Sequence, residues 1–294
     1  MIVDGVFSGG GIKGFAYVGA LKVLEERGFQ FGRVAGTSAG AILAAFIAAG
    51  FNAQELEEIF DDLNLNVLLD PPKICIGMPF LKWVNLYVRF GMYRGKSFEK
   101  WFYDKLATKG IFTFGDLPEG SLKLIASDLT TGRILVLPDD LKNYGINAHT
   151  FSIAHALRMS CGLPFFFEPV YLKNGVNENV IVDGGVLSNF PLWIFDNGHQ
   201  IRPILGLKLS SANEEMAPRE IDNGIQLFEA LFATMQNAHD NRYIARKHEK
   251  NIIFIPVEKF STTQFDIDEE TKNKLMCIGK DRTIQFLKTW SPVW

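Results

Sequence analysis

Three glycine-flanked groups in this sequence could do chemistry together: the Ser38 hydroxyl, the Asp183 carboxylate and the backbone amides of Gly9-Gly10-Gly11. Ser38 is centred in Gly36-Thr37-Ser38-Ala39-Gly40, a G-x-S-x-G pattern. Between a strand and a helix this pattern makes a sharp turn that exposes a nucleophile, and Gly36 and Gly40 allow a backbone that a Cβ would block. The plainer alternative is an ordinary turn in which Ser38 caps the helix. A serine that attacks a carbonyl needs a base for its proton and donors for the oxyanion. Asp183 follows Asn179-Val180-Ile181-Val182 and precedes Gly184-Gly185. That puts a carboxylate at a strand's C-terminal end, where clefts form in α/β sheets; Asp-Gly is also simply a good turn. Consecutive glycine N–H groups ahead of a helix form a nest for negative charge, so Gly10 and Gly11 are the expected oxyanion donors. Gly9 and Gly14 bound this loop. Lys13 within it is either a solvated residue at the helix start or a source of positive potential.

These groups must be carried by strands that end where helices begin. Ile2 to Phe7 reads as a buried strand running into the glycine loop, followed by a helix from Phe15 to about Arg27 that Gly28 ends. Phe15, Val18, Leu21 and Leu24 recur at helical spacing, so one face of that helix is core. Phe31 to Ala35 supplies the strand before Ser38, and Ala41 to Ala49 the helix after it, closed by Gly50. The loop also matches the dinucleotide fingerprint G-x-G-x-x-G through Gly9, Gly11 and Gly14, which requires an acidic residue near the end of the next strand. That strand ends in Val34-Ala35-Gly36 instead, so a nucleotide-dependent oxidoreductase is the weaker reading.

With 294 residues and 47% hydrophobic content the chain can build one large α/β domain or two small ones. A net charge of -3 gives no global attraction to nucleic acid, and none is expected as a partner. Cys75, Cys161 and Cys277 are too scattered for a metal site and fit a reducing compartment. No secretory leader or membrane-spanning stretch is evident, so a soluble cytoplasmic protein that can visit membranes is expected, with export by another route left open.

In their order, Gly9-Gly10-Gly11-Ile12-Lys13-Gly14, Gly36-Thr37-Ser38-Ala39-Gly40 and Asp183-Gly184-Gly185 resemble the patatin-like phospholipase family. More of its pattern recurs in Ala126-Ser127-Asp128-Leu129-Thr130-Thr131-Gly132, in Leu163-Pro164 leading to Pro169-Val170, and in Asn189-Phe190-Pro191. The resemblance covers residues 2–210, with departures at Met159, Cys161 and Phe165-Phe166-Phe167 that would alter the width of an acyl pocket. It implies a three-layer α/β/α fold with a mainly parallel central sheet, with Ser38 and Asp183 at neighbouring strand ends. It also implies a Ser-Asp dyad without a histidine relay, an oxyanion hole at Gly10 and Gly11, and no metal or other cofactor. The implied activity is lipid acyl hydrolysis of the phospholipase A or lysophospholipase type, with phospholipids ahead of neutral glycerides. A soluble carboxylesterase for short acyl esters and a non-catalytic lipid-binding scaffold are the alternatives. The histidines agree with a dyad. His149 and His155 precede Asp183, against the order of an α/β-hydrolase triad, while His199, His239 and His248 follow it in polar surroundings and read as surface residues.

Residues 52–63 read as an amphipathic helix with Glu55, Glu57 and Glu58 outward. Residues 73–100 combine Lys73, Lys82, Arg89, Arg94, Lys96 and Lys100 with many aromatics. If Phe80 to Phe90 is helical, Lys82, Asn85 and Arg89 make a narrow polar stripe, which suits either transient contact with a membrane surface or a core helix with a basic edge. A helix capped by Ser97 is expected to Lys105, then paired strands Leu122 to Ala126 and Arg133 to Leu137, and a helix from Phe151 to Met159. Strands at Arg202 to Leu207 and Ile252 to Ile255, separated by a helix within Glu220 to Lys250, and a last helix from Thr271 to Thr289 complete a single domain over 1–294.

Overall fold

The computed structural model describes the chain except for residues 62–67, 71–85, 176, 197–200, 211–220, 223, 244–248, 258–259, 261–266 and 292–294. Strand β1 (Ile2–Phe7) leads through a 3-10 turn, Gly11–Gly14, into α1 (Phe15–Glu26); β2 (Gln30–Thr37) leads through Ser38 alone into α2 (Ala39–Ala48). The chain then forms α3 (Ala53–Asp61), β3 (Gly91–Tyr93), α4 (Lys96–Ala107), β4 (Leu122–Asp128), β5 (Arg133–Leu137) and α5 (Ile153–Ser160). Beyond these come β6 (Phe165–Phe167), β7 (Val170–Asn174), β8 (Asn177–Asp183), β9 (Ile204–Lys208), α6 (Gly224–Tyr243), β10 (Ile252–Phe254) and α7 (Glu269–Thr289).

The main sheet has the order β10-β9-β1-β2-β4-β8-β7, with β5 also paired to β4. Pairing is parallel from β10 to β4 and antiparallel around β4, β5, β8 and β7. The strands bury both faces. Val3, Phe7, Val34, Leu122, Leu124 and Ala126 join the large core under the helices, while Val6, Ala35, Ile204 and Ile252 meet Phe190, Leu192 and Phe195 on the other side. The sheet is therefore a middle layer, as an α/β protein requires.

The sequence suggested that Ser38 and Asp183 sit at neighbouring strand ends, and the register shows how those ends come to be neighbours. β5 runs along β4 from Leu124 to Asp128, so it occupies one edge of that strand. β2 pairs with Leu122 to Ile125 and β8 with Ala126 to Asp128, and both must lie on the opposite edge. The two strands run toward each other along β4 and stop head to head, Thr37 opposite Ile125 and Asp183 opposite Ala126. An antiparallel β8 is what brings a second chain end to the tip of a parallel strand.

Two local expectations change. The α4 N-terminus is capped from a distance: the Asp70 carboxylate accepts from the N–H groups of Gly95, Lys96 and Ser97 at 2.6, 3.0 and 3.2 Å, so Ser97 is inside the helix. In the segment expected to be helical from Phe80 to Phe90, residues 80–85 lie outside the described residues, and a helical turn is present at 86–89. No described helix is long and apolar enough to cross a membrane.

Candidate active site

Ser38 is the entire connection between β2 and α2. It has φ 53° and ψ -121°, a left-handed backbone that a side chain rarely adopts and that persists where surrounding structure enforces it. The enforcement comes from close packing on either side. A Cβ on Gly36 would stand 2.2 Å from the Gly40 carbonyl oxygen, and one on Gly40 would stand 2.3 Å from that of Phe7, so only glycine lets the turn close against β1. Ser160 at the end of α5 braces the turn from the other side: its hydroxyl accepts the Ser38 N–H at 3.1 Å and donates to the Ile125 carbonyl of β4 at 2.6 Å. The Ser38 side chain makes no capping bond to α2, which removes the plain N-cap alternative.

Asp183 ends β8 and is 2% exposed. One carboxylate oxygen accepts the Gly185 N–H at 2.7 Å, and the Ser38 hydroxyl is near enough to favour the ionised form. Gly184 makes room for this: a Cβ there would meet the Ile125 carbonyl oxygen at 2.3 Å. Burial raises the Asp183 pKa from 3.8 to about 7, the Gly185 hydrogen bond and the nearby Ser38 hydroxyl pulling the other way. Desolvation thus turns an ordinary carboxylate into a group that can exchange a proton near neutral pH.

The glycine loop lies against the elbow. The Gly9 N–H donates to the Asn189 carbonyl at 3.0 Å, and the Gly10 carbonyl accepts from the Lys13 N–H at 3.2 Å, which closes the 3-10 turn. The Gly10 N–H has no acceptor among the described residues, and Gly11, with φ 55°, opens the turn, where an N–H has no intrahelical partner. Gly10, Gly11, Ser38 and Asp183 all line one cavity of about 120 Å³. Gly14 lines it too, across from Ala39, while Lys13 stays in the turn behind. The remaining wall is largely apolar, including Ile42, Leu43, Phe60, Trp101, Leu163 and Phe167. Phe167 of the aromatic triplet lines the cavity and Phe165 is 54% exposed.

Among the described residues no histidine lines this cavity. His149 is exposed, and His155 bonds Glu99 through Nδ1 at 2.9 Å. His199, His248 and the side chain of His239 lie outside what the structure describes. The Cys161 thiol, close to Ser38, is pushed well up by burial and next by the Asp183 carboxylate, so it stays protonated and is a poor rival nucleophile.

Several supporting residues were not singled out from sequence. Ser160 follows seven residues of α5 and looks like a helix terminus. Asp240 of α6 and Lys208 of β9 are both buried and stand 3.5 Å apart. Asp240 accepts the Phe190 N–H at 3.0 Å and the Asn189 amide at 3.4 Å, and so holds the segment that receives Gly9. The signal available was the Asn189-Phe190-Pro191 motif, but its carboxylate partner is far away in sequence and carries no local pattern.

A strand, a one-residue turn bearing a serine, and a helix, with a buried aspartate and the Gly10 and Gly11 backbone beside it, define an α/β protein whose candidate site gathers a hydroxyl, a carboxylate and a glycine loop on one cavity. The patatin-like phospholipase sequence model matches residues 5–196, and the chain belongs to that family. It is 50% identical over 291 residues to YqhO of Bacillus subtilis, an uncharacterised protein, covering 99% of this chain and all (100%) of that one. It is 28% identical over 193 residues to the triacylglycerol lipase ptl3 of Schizosaccharomyces pombe, covering 64% of this chain and 38% of the lipase. Among solved structures, VipD from Legionella pneumophila superposes with a TM-score of 0.59 at 20% identity, covering 98% of this chain and 67% of VipD. Family membership supports lipid hydrolysis as the class of activity.

Proposed function

We propose that the protein is a lipid acyl hydrolase that cleaves fatty-acyl esters through a Ser38–Asp183 dyad. The observation that carries this is the convergence on one cavity of Ser38, Gly10, Gly11 and the buried Asp183 carboxylate, whose pKa is raised to about 7. Asp183 takes the hydroxyl proton as Ser38 attacks the carbonyl carbon. The Gly10 and Gly11 amides stabilise the oxygen that becomes negative, each such donor being worth on the order of 3 kcal/mol. Collapse of the tetrahedral intermediate expels the alcohol, which takes the proton from Asp183 and leaves an acyl group on Ser38. Water then attacks the acyl-enzyme with Asp183 again as base, releasing fatty acid and restoring the serine. Every step uses groups of this chain, and no cofactor is invoked.

The apolar wall favours a hydrocarbon acyl chain over a small polar one. Phospholipids are the proposed substrates because the family is described by that activity, with neutral glycerides as the competitor that the ptl3 name brings forward. Residues 1–294 act as one domain in this reading, in the cytoplasm with peripheral visits to membranes. The test is fatty-acid release from phosphatidylcholine vesicles and from short nitrophenyl esters. Ser38→Ala and Asp183→Asn should each lose on the order of a thousandfold or more in turnover while still folding and melting cooperatively. Undiminished hydrolysis by Ser38→Ala would sink the mechanism. A native protein that turns over short esters but not vesicles would be a carboxylesterase instead.

A further inference from the structure

Among the described residues, three that are not glycine hold a left-handed backbone: Ser38, Phe90 at φ 63° and Phe165 at φ 65°. Ser38 is the elbow. The other two are phenylalanines, each 54% exposed. They are neighbours in space, because β3 and β6 pair with Gly91 opposite Phe165. A constrained backbone that turns an aromatic ring toward water costs the fold twice, in conformation and in hydration.

Phe165 also lies beside the cavity, since Leu163 and Phe167 on either side of it line the interior. Its ring meets Phe228 edge-on at 5.4 Å, Phe228 stacks on Phe232 at 5.8 Å, and Phe232 lines the cavity with Ser38. An aromatic path therefore runs from solvent to the nucleophile. Helix α6 carries this path on one stripe and an exposed apolar stripe beside it: Leu227, Leu231 and Met235, at spacings of one turn, are 49%, 57% and 42% exposed. Arg89, next to Phe90, adds a half-exposed guanidinium 3.8 Å from Glu168.

We propose that the rim formed by Phe90, Phe165, Leu227, Leu231 and Met235 is the surface on which a phospholipid bilayer docks. The inference rests on the acyl-hydrolase reading and names where its substrate enters. An acyl chain can pass from a bilayer to Ser38 without crossing water only where the cavity opens against the membrane, and this rim adjoins the cavity residues Leu163, Phe167, Phe232 and Gln236. An apolar rim edged by a cation also complements a surface of hydrocarbon beneath anionic headgroups. The described rim thus lies on β6, α6 and residues 89–90, while residues 73–85 of the basic aromatic segment lie outside the described residues.

The test uses Ser38→Ala protein, which binds without turnover, floated with phosphatidylcholine vesicles with and without phosphatidylglycerol. Adding Leu227→Ser and Leu231→Ser should lower binding to both by about tenfold or more. Arg89→Glu should weaken binding to the anionic vesicles alone. Leu231→Trp, which keeps the surface apolar, should gain a tryptophan that brominated acyl chains quench. No flotation of the parent, equal flotation of the double serine variant, or indifference of the new tryptophan to bromine would each overturn the proposal. So would a double serine variant that turns a dimer into a monomer with flotation unchanged, because the face would then belong to a second copy of the chain. Failure of the catalytic reading looks different: the native protein would hydrolyse neither vesicles nor short esters, while Ser38→Ala still floated.

Discussion

At the scale of single residues, the notable property of Asp183 is that the fold makes it weak as an acid. Burial raises its pKa to about 7, and the Gly185 hydrogen bond and the nearby Ser38 hydroxyl only partly oppose this. A base must be ionised to act, so kcat/KM for a soluble ester should rise with pH through an apparent pKa near 7 and level off above it. Stability should run the other way. A carboxyl with a raised folded pKa contributes most below its unfolded value of 3.8, and that contribution fades as pH climbs through about 7. Asp183→Asn, which cannot ionise, should therefore be more stable than the native chain at pH 8 by on the order of 4 kcal/mol, and hardly different at pH 4. Urea melts at the two pH values check this. Equal stability at pH 8 would mean that the carboxylate is better solvated than its 2% exposure implies. Both Ser38 and Asp183 were legible in sequence because glycines are written beside them. Their proximity was expected only from the family resemblance, and the means of it was not legible, since it depends on β8 running against β4.

At the scale of elements, the strands and helices around Ser38 follow from local pattern, and the misreadings occur where a distant side chain decides. The β1–loop–α1 and β2–elbow–α2 units fall within a few residues of expectation, because apolar runs, glycine stops and helical periodicity are all local signals. Ser97 is a sensible cap by sequence, yet Asp70 reaches in from before the helix and takes three amides. The short β3 and β6 went unread because Gly91-Met92-Tyr93 and Phe165-Phe166-Phe167 are brief and pair only with each other. The buried pair of Asp240 and Lys208 belongs to the same kind, linking α6, β9 and the segment that receives the glycine loop. Asp240→Ala removes the acceptor of the Phe190 N–H and the carboxylate beside Lys208, and should cost about 3–5 kcal/mol. Pairing Asp240→Leu with Lys208→Met removes both charges and should recover most of that stability. It should still react more slowly with a fluorophosphonate probe, because Asn189 no longer holds Gly9 in place. Labelling at the native rate in the double variant would reduce the pair to a structural role.

At the scale of the whole molecule, the family match ends at residue 196, yet the sheet does not. β9 pairs along the edge of β1 that β2 leaves open, and β10 extends the sheet beyond it. Helix α7 packs on α1 so closely that a Cβ on Gly19 would stand 1.9 Å from the Met276 carbonyl oxygen. The strand that delivers the glycine loop is therefore central only because the last third of the chain covers it. Asp4 makes the same point with charge: fully buried on β1, it accepts from Arg33 of β2 at 3.0 Å and from Arg202 ahead of β9 at 3.4 Å. A fragment ending at residue 196 would expose Val3, Phe7 and the α1 face, and would lose Leu205, Leu207, Ile252, Ile253, Leu275 and Met276 from the core. At about 1.5–3 kcal/mol for each buried side chain, that loss matches the whole stability of a typical domain, about 5–15 kcal/mol. The fragment should therefore lack a cooperative thermal transition, be digested by trypsin at concentrations that spare the full chain, and leave Ser38 unlabelled by a fluorophosphonate. A fragment that melts cooperatively and labels would show that the elbow and glycine loop hold their geometry without β9, and that the last third of the chain is not needed for the core around them.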